Sequence, residues 1–492
     1  MYRLMFYFLM ILVVVSVIYS LFGVLPYKPQ GIIFSSLFLI AVCLITNKLF
    51  AKLYNVPANI ESPYITSLIL TLIITPVQEA HGFLFLFIVG LISMASKYIF
   101  SLKNKHLFNP AAFAVVIAWF AFGIPASWWV GNLPMFPFVF FGGLLIIRKL
   151  QKEAMVYVFF ITTAIVFAIL GTVRGVSISG ILNIYIYTSV LFFATVMFTE
   201  PLTTPPTRKL QIVYGILVGI LYSSEFHAGN IYLTPETALI IGNIFSYIVS
   251  PKEKLVLKLK EKIKTSIDTY DFIFPFKPKF SYIPGQYMEW TLGHKNVDPR
   301  GNRRYFTLAS SPTEDHLRIG VKFYEHGSTL KKALLNADLG TRVIAGQRAG
   351  DFILSENKEV KYIFLGGGIG ITPFRSILKY LIDKQEKRDI VLFYSNKKAD
   401  EIVYRDVFDL AERKLGIKTV YTTTDRNSIP KGWNGEKGRI DGEMIRRKVP
   451  DYFERTYYLS GPHGMVSSFE EVLGNLGIKK EKIKTDFFPG YA

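Results

Sequence analysis

The chain of 492 residues contains a single cysteine, Cys43, which lies inside an apolar stretch. No disulfide can form within the chain, and an iron–sulfur cluster, which usually takes four cysteine ligands, is excluded. Histidine is also scarce before residue 250, where only His81, His106 and His227 occur. All three fall at the ends of apolar stretches, so pairs of histidines stacked around haem deep between helices are not expected.

Aspartate is absent from the first 250 residues, whereas the rest of the chain has charges distributed as in an ordinary soluble protein. Overall, 51% of the residues are hydrophobic and the formal net charge is +19. A membrane surface explains this positive charge better than nucleic acid does, because many basic residues flank apolar segments. The composition therefore predicts a membrane half and a soluble half, with the lipid bilayer as a partner and no nucleic acid.

Ten apolar segments occupy the first half. They run roughly over 5–25, 31–50, 62–76, 82–100, 109–124, 132–147, 154–171, 181–198, 210–224 and 235–250. Several are shorter than the ~20 residues that a straight crossing requires. No small-residue cleavage site follows the first segment, so it is read as retained. We expect residues 1–250 to form a ten-span α-helical membrane domain.

Basic residues in alternate loops predict the orientation. With the N-terminus inside, the inner loops hold eleven Lys and Arg residues and the outer loops only Lys28 and Arg174. This imbalance follows the positive-inside rule and puts both ends of the domain, and hence the soluble half, in the cytoplasm. The expected location is the cytoplasmic membrane of a bacterium.

Two interrupted segments occupy similar places in the two five-span halves. One opens at residues 62–67 and ends early at Pro76, and the other is the stretch Thr199–Thr207, rich in proline and threonine. Broken helices at matching places are typical of internal repeats and often build a site at the bilayer midplane. The alternative interpretation is two plain polar loops.

Three motifs occur in order: Tyr64–Leu70 with Pro76, Leu107–Ala112, and Met197–Pro205. Over about residues 1–250 they resemble the membrane flavoprotein family of the Rnf complex D subunit and the sodium-translocating NADH:quinone reductase B subunit. The resemblance implies a non-covalent flavin, FMN or riboflavin, inside the membrane domain. It makes Asn109, His106 and Thr66 candidates for that pocket.

The chain departs from this family on the outer side. The threonine that carries covalent FMN in the family is missing, since the loop from Ile124 to Met135 offers Trp128 and Trp129 instead. We therefore expect no covalent flavin. Glu200 stands where the family often has aspartate, and a carboxylate near a membrane usually has a task or a partner. A solvated structural role beside Arg208 is equally open.

The soluble half is centred on residues 303–312, which read as a short strand ending in a small-residue turn at Pro312. Arg304 can hold phosphate through forked hydrogen bonds, and Phe306 can lie against a ring. Thr307 can bond a ring nitrogen or carbonyl. Tyr305 lies between Arg304 and Phe306 in the sequence. An ordinary amphipathic strand is the alternative.

Further along lie two glycine-containing turns. Gly327, Ser328 and Thr329 open a helix, where amides and the helix dipole suit phosphate, although Ser328 would equally serve as a plain N-cap. A buried strand at 362–365 leads into a glycine-rich turn and a helix, as in nucleotide-binding folds. The candidates for nucleotide contact in this turn are Gly366, Gly367, Gly368, Gly370 and Thr372. Alternating strands and helices predict an α/β domain.

The ordered motifs P-G-Q-Y, R-x-F-T-x-A-S-S-P, G-S-T, G-G-G-I-G-I-T-P and S-G-P-x-G-M-V resemble the ferredoxin–NADP reductase superfamily over residues 254–492. This implies an FAD-binding β-barrel domain at 254–357 and an NAD(P)H-binding α/β domain at 358–492. By resemblance Arg304, Tyr305, Phe306 and Thr307 bind the flavin, residues 327–329 bind pyrophosphate, and residues 366–372 with Gly461 and Pro462 bind NAD(P)H.

The resemblance implies that Thr307 and Ser460 are the catalytic residues. The family usually has cysteine where this chain has Ser460. A C-terminal ring, for which Phe488 is the candidate, could cover the flavin. Coenzyme choice is open: Lys397 and Lys398 could meet a 2′-phosphate, which slightly favours NADPH, or form a solvated turn. No metal site is expected.

The whole chain is thus expected to be an FAD-dependent oxidoreductase. It would take hydride from cytoplasmic NAD(P)H and pass single electrons to a membrane flavin and across the membrane. The acceptor is open among a quinone, an extracellular protein and a soluble redox protein. Three alternatives remain: a haem enzyme of the ferric-reductase or NADPH-oxidase type, a membrane-anchored reductase of free flavin or ferredoxin, and an ion transporter.

Overall fold

The computed structural model describes residues 2–54, 61–102, 105–175, 177–187, 189–223, 227–228, 231–250, 255–276, 280–295, 297–298, 301–425 and 429–488. The chain divides into two compact units, an N-terminal unit, Met1–Glu253, and a C-terminal unit, Lys254–Ala492.

The N-terminal unit is helical, and a helix lies at each of the ten predicted apolar segments. The helices are α1 (Tyr2–Leu21), α2 (Pro29–Leu53), α3 (Glu61–Ile73), α4 (Ala80–Ile99), α5 (Pro110–Phe122), α6 (Phe136–Leu150), α7 (Glu153–Arg174), α8 (Ile178–Tyr187), α9 (Val190–Phe192), α10 (Arg208–Ser223) and α11 (Pro235–Val249). Two short hairpins join some of them, β1 (Ser101–Leu102) with β2 (Lys105–His106) and β3 (His227–Ala228) with β4 (Ile231–Tyr232).

The helices of the N-terminal unit differ in whether they are long enough to cross a membrane. Within the described residues, α1, α2, α4 and α7 are long and apolar enough to cross a membrane. A fifth crossing is added if α8 and the segment Val190–Met197, which meet at 59°, count as one broken span. Helices such as α5, with 13 residues, are shorter than the ~20 residues of a straight crossing. Ten crossings therefore remain a prediction.

The predicted breaks are present in the backbone. Helix α9 continues into a π-helical turn, Phe193–Met197, which stops just before Glu200. Helix α3 is also short and ends at Ile73, before Pro76. Short π-helical segments are frequent at functional sites because they displace side chains from the regular helical register.

The C-terminal unit begins with two antiparallel sheets that enclose one core. The strands are β5 (Leu255–Lys258), β6 (Glu261–Lys264), β7 (Thr269–Pro275), β8 (Tyr287–Thr291), β9 (Arg303–Thr307), β10 (His316–Lys322) and β11 (Arg342–Ala349), with helix α12 (Thr329–Leu335) between the last two. One sheet has the order β10–β7–β6 and the other β5–β11–β8–β9. Alternating apolar residues, among them Phe272, Met288 and Leu317, are fully buried between the sheets.

A six-stranded parallel sheet with the order β15–β14–β13–β12–β16–β17 follows. Its elements are β12 (Tyr362–Gly367), α13 (Thr372–Lys384), β13 (Ile390–Asn396), α14 (Arg405–Leu415), β14 (Lys418–Thr423), β15 (Glu436–Lys437), α15 (Gly442–Lys448), β16 (Thr456–Pro462), α16 (His463–Asn475) and β17 (Ile483–Phe488). Apolar clusters cover both faces of this sheet, as the continuous apolar strands require. In such sheets ligands bind beyond the carboxyl ends of the strands.

Candidate functional site

Strand β9 carries the four residues expected to bind flavin, and its alternation separates them into two pairs. Arg304 and Phe306 project to one face and Tyr305 and Thr307 to the other. The Arg304 guanidinium donates to the carbonyl oxygens of Gly301 and Arg303 at 3.3 and 2.5 Å. The cation is thereby held close to the backbone at the start of the strand.

On the other face, Thr307 meets a carboxylate from the far end of the chain. Its Oγ1 donates to Asp486 Oδ2 at 3.4 Å. Asp486 lies on β17, and the packing around its carboxyl group raises its pKa to about 6. This carboxyl group therefore changes between its protonated and ionised forms near pH 6. Sequence reasoning missed Asp486, since one acidic residue in a terminal strand carries no distinguishing signal.

Ser460 lies next to this pair in the sheet. It is paired in register with Asp486 on one side and with Gly366 on the other. The residue is fully buried, and its Oγ has no hydrogen-bond partner among the described residues. A buried hydroxyl with no partner is uncommon in native structures and fits a site completed by a bound group. Thr307, Asp486 and Ser460 thus converge where the antiparallel sheets meet the parallel sheet.

The glycine-rich turn after β12 closes tightly on the end of β16. A Cβ atom at Gly370 would lie 2.5 Å from the Ser460 carbonyl oxygen and 2.5 Å from Gly461 Cα, so only glycine fits. Gly368 has φ +52°, a backbone conformation that favours glycine. Thr372, at the start of α13, donates its hydroxyl to the Ile369 carbonyl oxygen at 3.2 Å. The turn and the residues Ser460–Pro462 therefore form one surface at the carboxyl ends of adjacent strands.

The predicted pyrophosphate turn has internal partners. Ser328 caps α12 by accepting from the Lys331 amide at 3.4 Å. The Thr329 amide donates to Asp298 Oδ2 at 2.9 Å, and the Thr329 hydroxyl accepts from the Asp298 amide at 3.0 Å. The Asp298 carboxylate thus occupies one of the amides expected to hold phosphate, and a phosphate there would replace it. Gly327 approaches Tyr324 too closely for a Cβ without adjustment, at 3.0 Å.

Arg375 on α13 links the nucleotide side of this unit to the flavin side. Its guanidinium forms hydrogen bonds of 2.9 and 3.1 Å with the two carboxylate oxygens of Glu314 and one of 2.7 Å with the Ala309 carbonyl oxygen. Ala309 lies two residues beyond Thr307. Because Arg375 is buried, this forked pair resists displacement, and it fixes the start of α13 against the segment that leaves β9.

Two further predictions concern the lysines for coenzyme choice and the ring that covers the flavin. Lys397 and Lys398 are exposed directly after β13, at the same carboxyl edge of the sheet. Phe488 is the residue expected to place its ring over the flavin. Its side chain and the residues Pro489 to Ala492 lie outside the described residues.

The N-terminal unit contains a cavity that is partly open to its surface. Its walls come from α1, α3, α5, α6 and the segment 196–201. Thr66 and Asn109, two of the flavin candidates, both line it, and so does Glu200. The cavity therefore joins the two interrupted segments that the sequence had singled out.

The polar groups around this cavity are already connected. Asn109 caps α5 through its Oδ1 and donates from Nδ2 to Glu200 Oε2 at 2.9 Å. Lys97 donates to the hydroxyls of Ser62 and Thr66 at 2.7 and 3.0 Å. His106, the third flavin candidate, is not among the lining residues but contacts Glu200. Lys97 is not among the lining residues, but the Glu200 carboxylate and the Lys149 ammonium group both line the otherwise mostly apolar cavity.

Trp128 and Trp129 are not among the residues that line the cavity. The side chains of His81 and His227 lie outside the described residues. Trp128 and Trp129 are buried rather than exposed in their loop: Trp128 Nε1 donates to Glu236 Oε1 at 2.5 Å, and Trp129 Nε1 donates to the Thr71 carbonyl oxygen at 2.8 Å. Within the described residues, no group of three or more His, Cys, Asp or Glu is placed to hold a metal ion.

Comparison with known proteins places relatives at the C-terminal half. Residues 364–471 match the family model described as the oxidoreductase NAD-binding domain. The stachydrine N-demethylase reductase subunit Stc4 of Rhizobium meliloti is 28% identical over 233 residues, which are 46% of this chain and 65% of that protein. Flavohemoprotein A of Dictyostelium discoideum is 26% identical over 46% of this chain and 58% of its own length. The chain thus spans less than two thirds of these relatives.

NADH-cytochrome b5 reductase 1 of Ajellomyces capsulatus is 27% identical over 49% of this chain and 81% of that protein. Among solved structures, the FAD/NAD-binding domain of a nitric oxide dioxygenase from Vibrio cholerae is 22% identical, with a TM-score of 0.42, and covers 47% of this chain and 98% of that chain. The C-terminal half therefore has as its homologues the FAD-dependent NAD(P)H oxidoreductases of the ferredoxin–NADP reductase family.

Proposed function

We propose that this protein is a membrane-bound oxidoreductase that takes hydride from NAD(P)H onto FAD at residues 254–492. Single electrons then pass to a second, non-covalent flavin in the cavity of the N-terminal unit and outward across the membrane. The observation that carries the first step is the convergence of Thr307, Asp486 and the unpartnered hydroxyl of Ser460 beside the glycine-rich turn.

In this proposal, the FAD domain and the NAD(P)H domain each supply part of the site. FAD, when bound, supplies the ring that accepts hydride. In the proposed FAD domain, 254–357, Arg304 and residues 327–329 hold the phosphates and Phe306 packs on the ring. Tyr305 is a further residue of the flavin site. In the proposed NAD(P)H domain, 358–492, residues 366–372 and Gly461–Pro462 hold the nucleotide. Thr307 donates its hydroxyl hydrogen to Asp486, which positions that hydroxyl near the reacting atoms, and Arg375 holds the two sides in alignment.

The membrane step rests on a different observation. Thr66 and Asn109, which the sequence assigns to a flavin pocket, line one cavity together with Glu200. An isoalloxazine ring fits apolar walls with a polar rim, and its carbonyl and nitrogen atoms suit the ammonium and amide groups there. In this proposal the N-terminal unit crosses the cytoplasmic membrane of a bacterium ten times and keeps both ends in the cytoplasm.

Flavin extraction and an arginine pair test this proposal. Acid extraction and chromatography of the purified protein should yield FAD and a second flavin, with about two flavins per chain and no haem band. Arg304→Ala should lose FAD and NAD(P)H oxidation, because charge-assisted hydrogen bonds to phosphate are strong. Arg303→Ala is the matched control, since Arg303 pairs with Glu289 at 3.3 Å instead. Full FAD content in Arg304→Ala would contradict the assignment of the flavin site.

A second candidate is a membrane-anchored reductase that passes electrons from FAD directly to a soluble protein. The similarity to Stc4, the reductase subunit of a stachydrine N-demethylase, favours it. The same extraction separates the two functions, because this candidate requires FAD alone.

A further inference from the structure

Glu200 connects the cavity of the N-terminal unit with a histidine outside it. Oε1 of Glu200 lies 3.4 Å from His106 Nε2, and Glu200 itself lines the cavity. Both side chains are partly exposed, 14% for His106 and 21% for Glu200. His106 belongs to the β1–β2 hairpin, so this contact leads from a surface loop to the cavity.

The other oxygen of Glu200 is held in place by neutral donors. Asn109 Nδ2 donates to Oε2 at 2.9 Å, and Thr203 Oγ1 donates to it at 3.2 Å. These two bonds fix the orientation of the carboxylate and leave Oε1 toward His106. The carboxylate is therefore positioned, and only one of its oxygens faces a group that can carry a proton.

Several charged or ionisable groups surround Glu200, each from a different element. Lys97 of α4 and Tyr214 of α10 interact with its charge, and Lys149 of α6 lines the same cavity. Within the described residues, Glu200 is the only carboxylate that lines this cavity. A negative charge that enters the cavity would thus meet one group able to become neutral by gaining a proton.

We propose that Glu200 and His106 form a proton entry that neutralises an electron arriving in the cavity. The inference rests on the proposed second flavin. One electron arrives from the reduced FAD, and one proton accompanies it. The N–H bond at His106 Nε2 breaks as an O–H bond forms at Glu200 Oε1. His106 regains a proton from a hydronium ion of the bulk solvent, which leaves as water, so one positive charge enters with the electron.

The physical reason is the cost of unbalanced charge in a low-dielectric region. Two like charges a few ångströms apart repel much more strongly there than in water. An electron next to an ionised carboxylate therefore favours the protonated form of that carboxylate. Membrane proteins commonly use carboxylate and histidine side chains for this kind of relay.

The test is a spectroelectrochemical titration of the holoprotein at several pH values from about 6 to 8. In the wild type we expect the midpoint potential of the second flavin to fall as pH rises, because proton uptake accompanies its reduction. Glu200→Gln should remove this slope while both flavins stay bound, since glutamine keeps an oxygen for Asn109. Glu200→Asp should retain the slope. His106→Asn should keep the slope at equilibrium and slow the reduction of this flavin by NAD(P)H about tenfold or more.

The controls separate this inference from the proposed function. Glu153→Gln makes the same chemical change at the start of α7, and it should leave the slope unchanged. The FAD of the C-terminal unit is an internal reference in each titration. Two flavins with an unaltered slope in Glu200→Gln would overturn the proton entry alone. A single flavin per chain would overturn the proposed membrane step and the proton entry with it.

Discussion

At the scale of single residues, the C-terminal site depends on contacts that adjacent positions in the sequence do not reveal. Thr307 and Asp486 are 179 positions apart and share a hydrogen bond, and Asp486 is in register with Ser460. A hydroxyl and a carboxyl group in contact can pass a proton between them. In the proposed site, this pair lies beside Ser460, the position where the family usually has cysteine.

The raised pKa of Asp486 predicts a pH effect on stability. An ordinary aspartate has a pKa near 3.9, whereas Asp486 has about 6 because burial disfavours its charge. The folded chain thus binds the proton more tightly, and the stability it contributes at low pH is lost as pH rises from about 4 through about 6. Asp486→Asn should lack this loss, and thermal unfolding of variant and wild type at pH 5 and pH 8 measures it.

The same titration should appear in the rate. An ionised Asp486 accepts the Thr307 hydrogen, which leaves Thr307 oxygen lone pairs toward the reduced flavin. We expect FAD reduction by NAD(P)H, followed by stopped-flow absorbance, to speed up with a midpoint near pH 6. A wild-type rate with no bend there, or an equal bend in Asp486→Asn, would contradict the role of this carboxyl group.

At the scale of elements, α13 and the glycine-rich turn are held from two sides. Arg375 ties α13 to Glu314 and Ala309, and Gly370 permits the turn to touch the end of β16. Both contacts set the distance between the nucleotide surface and strand β9. Small displacements between reacting groups are expensive, with a shift of about 1 Å costing on the order of a hundredfold in rate.

Removal of the tether should therefore affect rate and stability together. Arg375→Met leaves Glu314 buried without its partner and should lower the free energy of unfolding by about 3–5 kcal/mol. Hydride transfer should slow by about tenfold or more with FAD still bound. Arg413→Met, on the exposed face of α14, is the matched control and should behave like wild type. An undiminished transfer rate in Arg375→Met would show that the tether has no positioning role.

The glycine turn gives a sharper test of fit. Gly370→Ala would force a Cβ atom against backbone atoms at 2.5 Å, so the turn must move away from Ser460. We expect a loss of about 1–3 kcal/mol in unfolding free energy and a weaker affinity for NAD(P)H. Gly464→Ala adds the same methyl group where no atom lies within 4 Å, and it should bind NAD(P)H normally. Coenzyme titrations of both variants make the comparison.

At the scale of the whole molecule, the N-terminal unit has the composition of a membrane domain and the C-terminal unit has that of an ordinary soluble domain. The long apolar helices of the N-terminal unit suit a bilayer, and the C-terminal unit has homologues among NAD(P)H oxidoreductases. In the proposed orientation, the basic loops of the first unit and the whole second unit face the cytoplasm. NAD(P)H does not cross membranes, so sidedness decides whether the coenzyme reaches its site.

Membrane vesicles test this orientation. Inside-out vesicles should oxidise added NAD(P)H, and sealed right-side-out vesicles should do so only after permeabilisation with detergent. Protease added to inside-out vesicles should abolish the oxidation because it reaches residues 254–492. Oxidation at equal rates by sealed vesicles of both kinds would contradict a cytoplasmic C-terminal unit.

The sequence by itself determined the division near residue 250, the position of a helix at each apolar segment, and the strand, glycine turn and helix of the nucleotide fold. These follow from local periodicity and from glycine and proline at fixed places, which act over a few residues. Composition likewise excluded an iron–sulfur cluster, because one cysteine cannot supply four ligands.

Only the tertiary structure decided which distant side chains meet. It brought Asp486 to Thr307, linked Arg375 to Glu314, and joined Thr66, Asn109 and Glu200 around one cavity. It also placed Asp298 at the predicted pyrophosphate turn, which no local pattern indicates. Such contacts depend on strand order and helix packing over tens to hundreds of residues, and a single sequence carries no local signal for them.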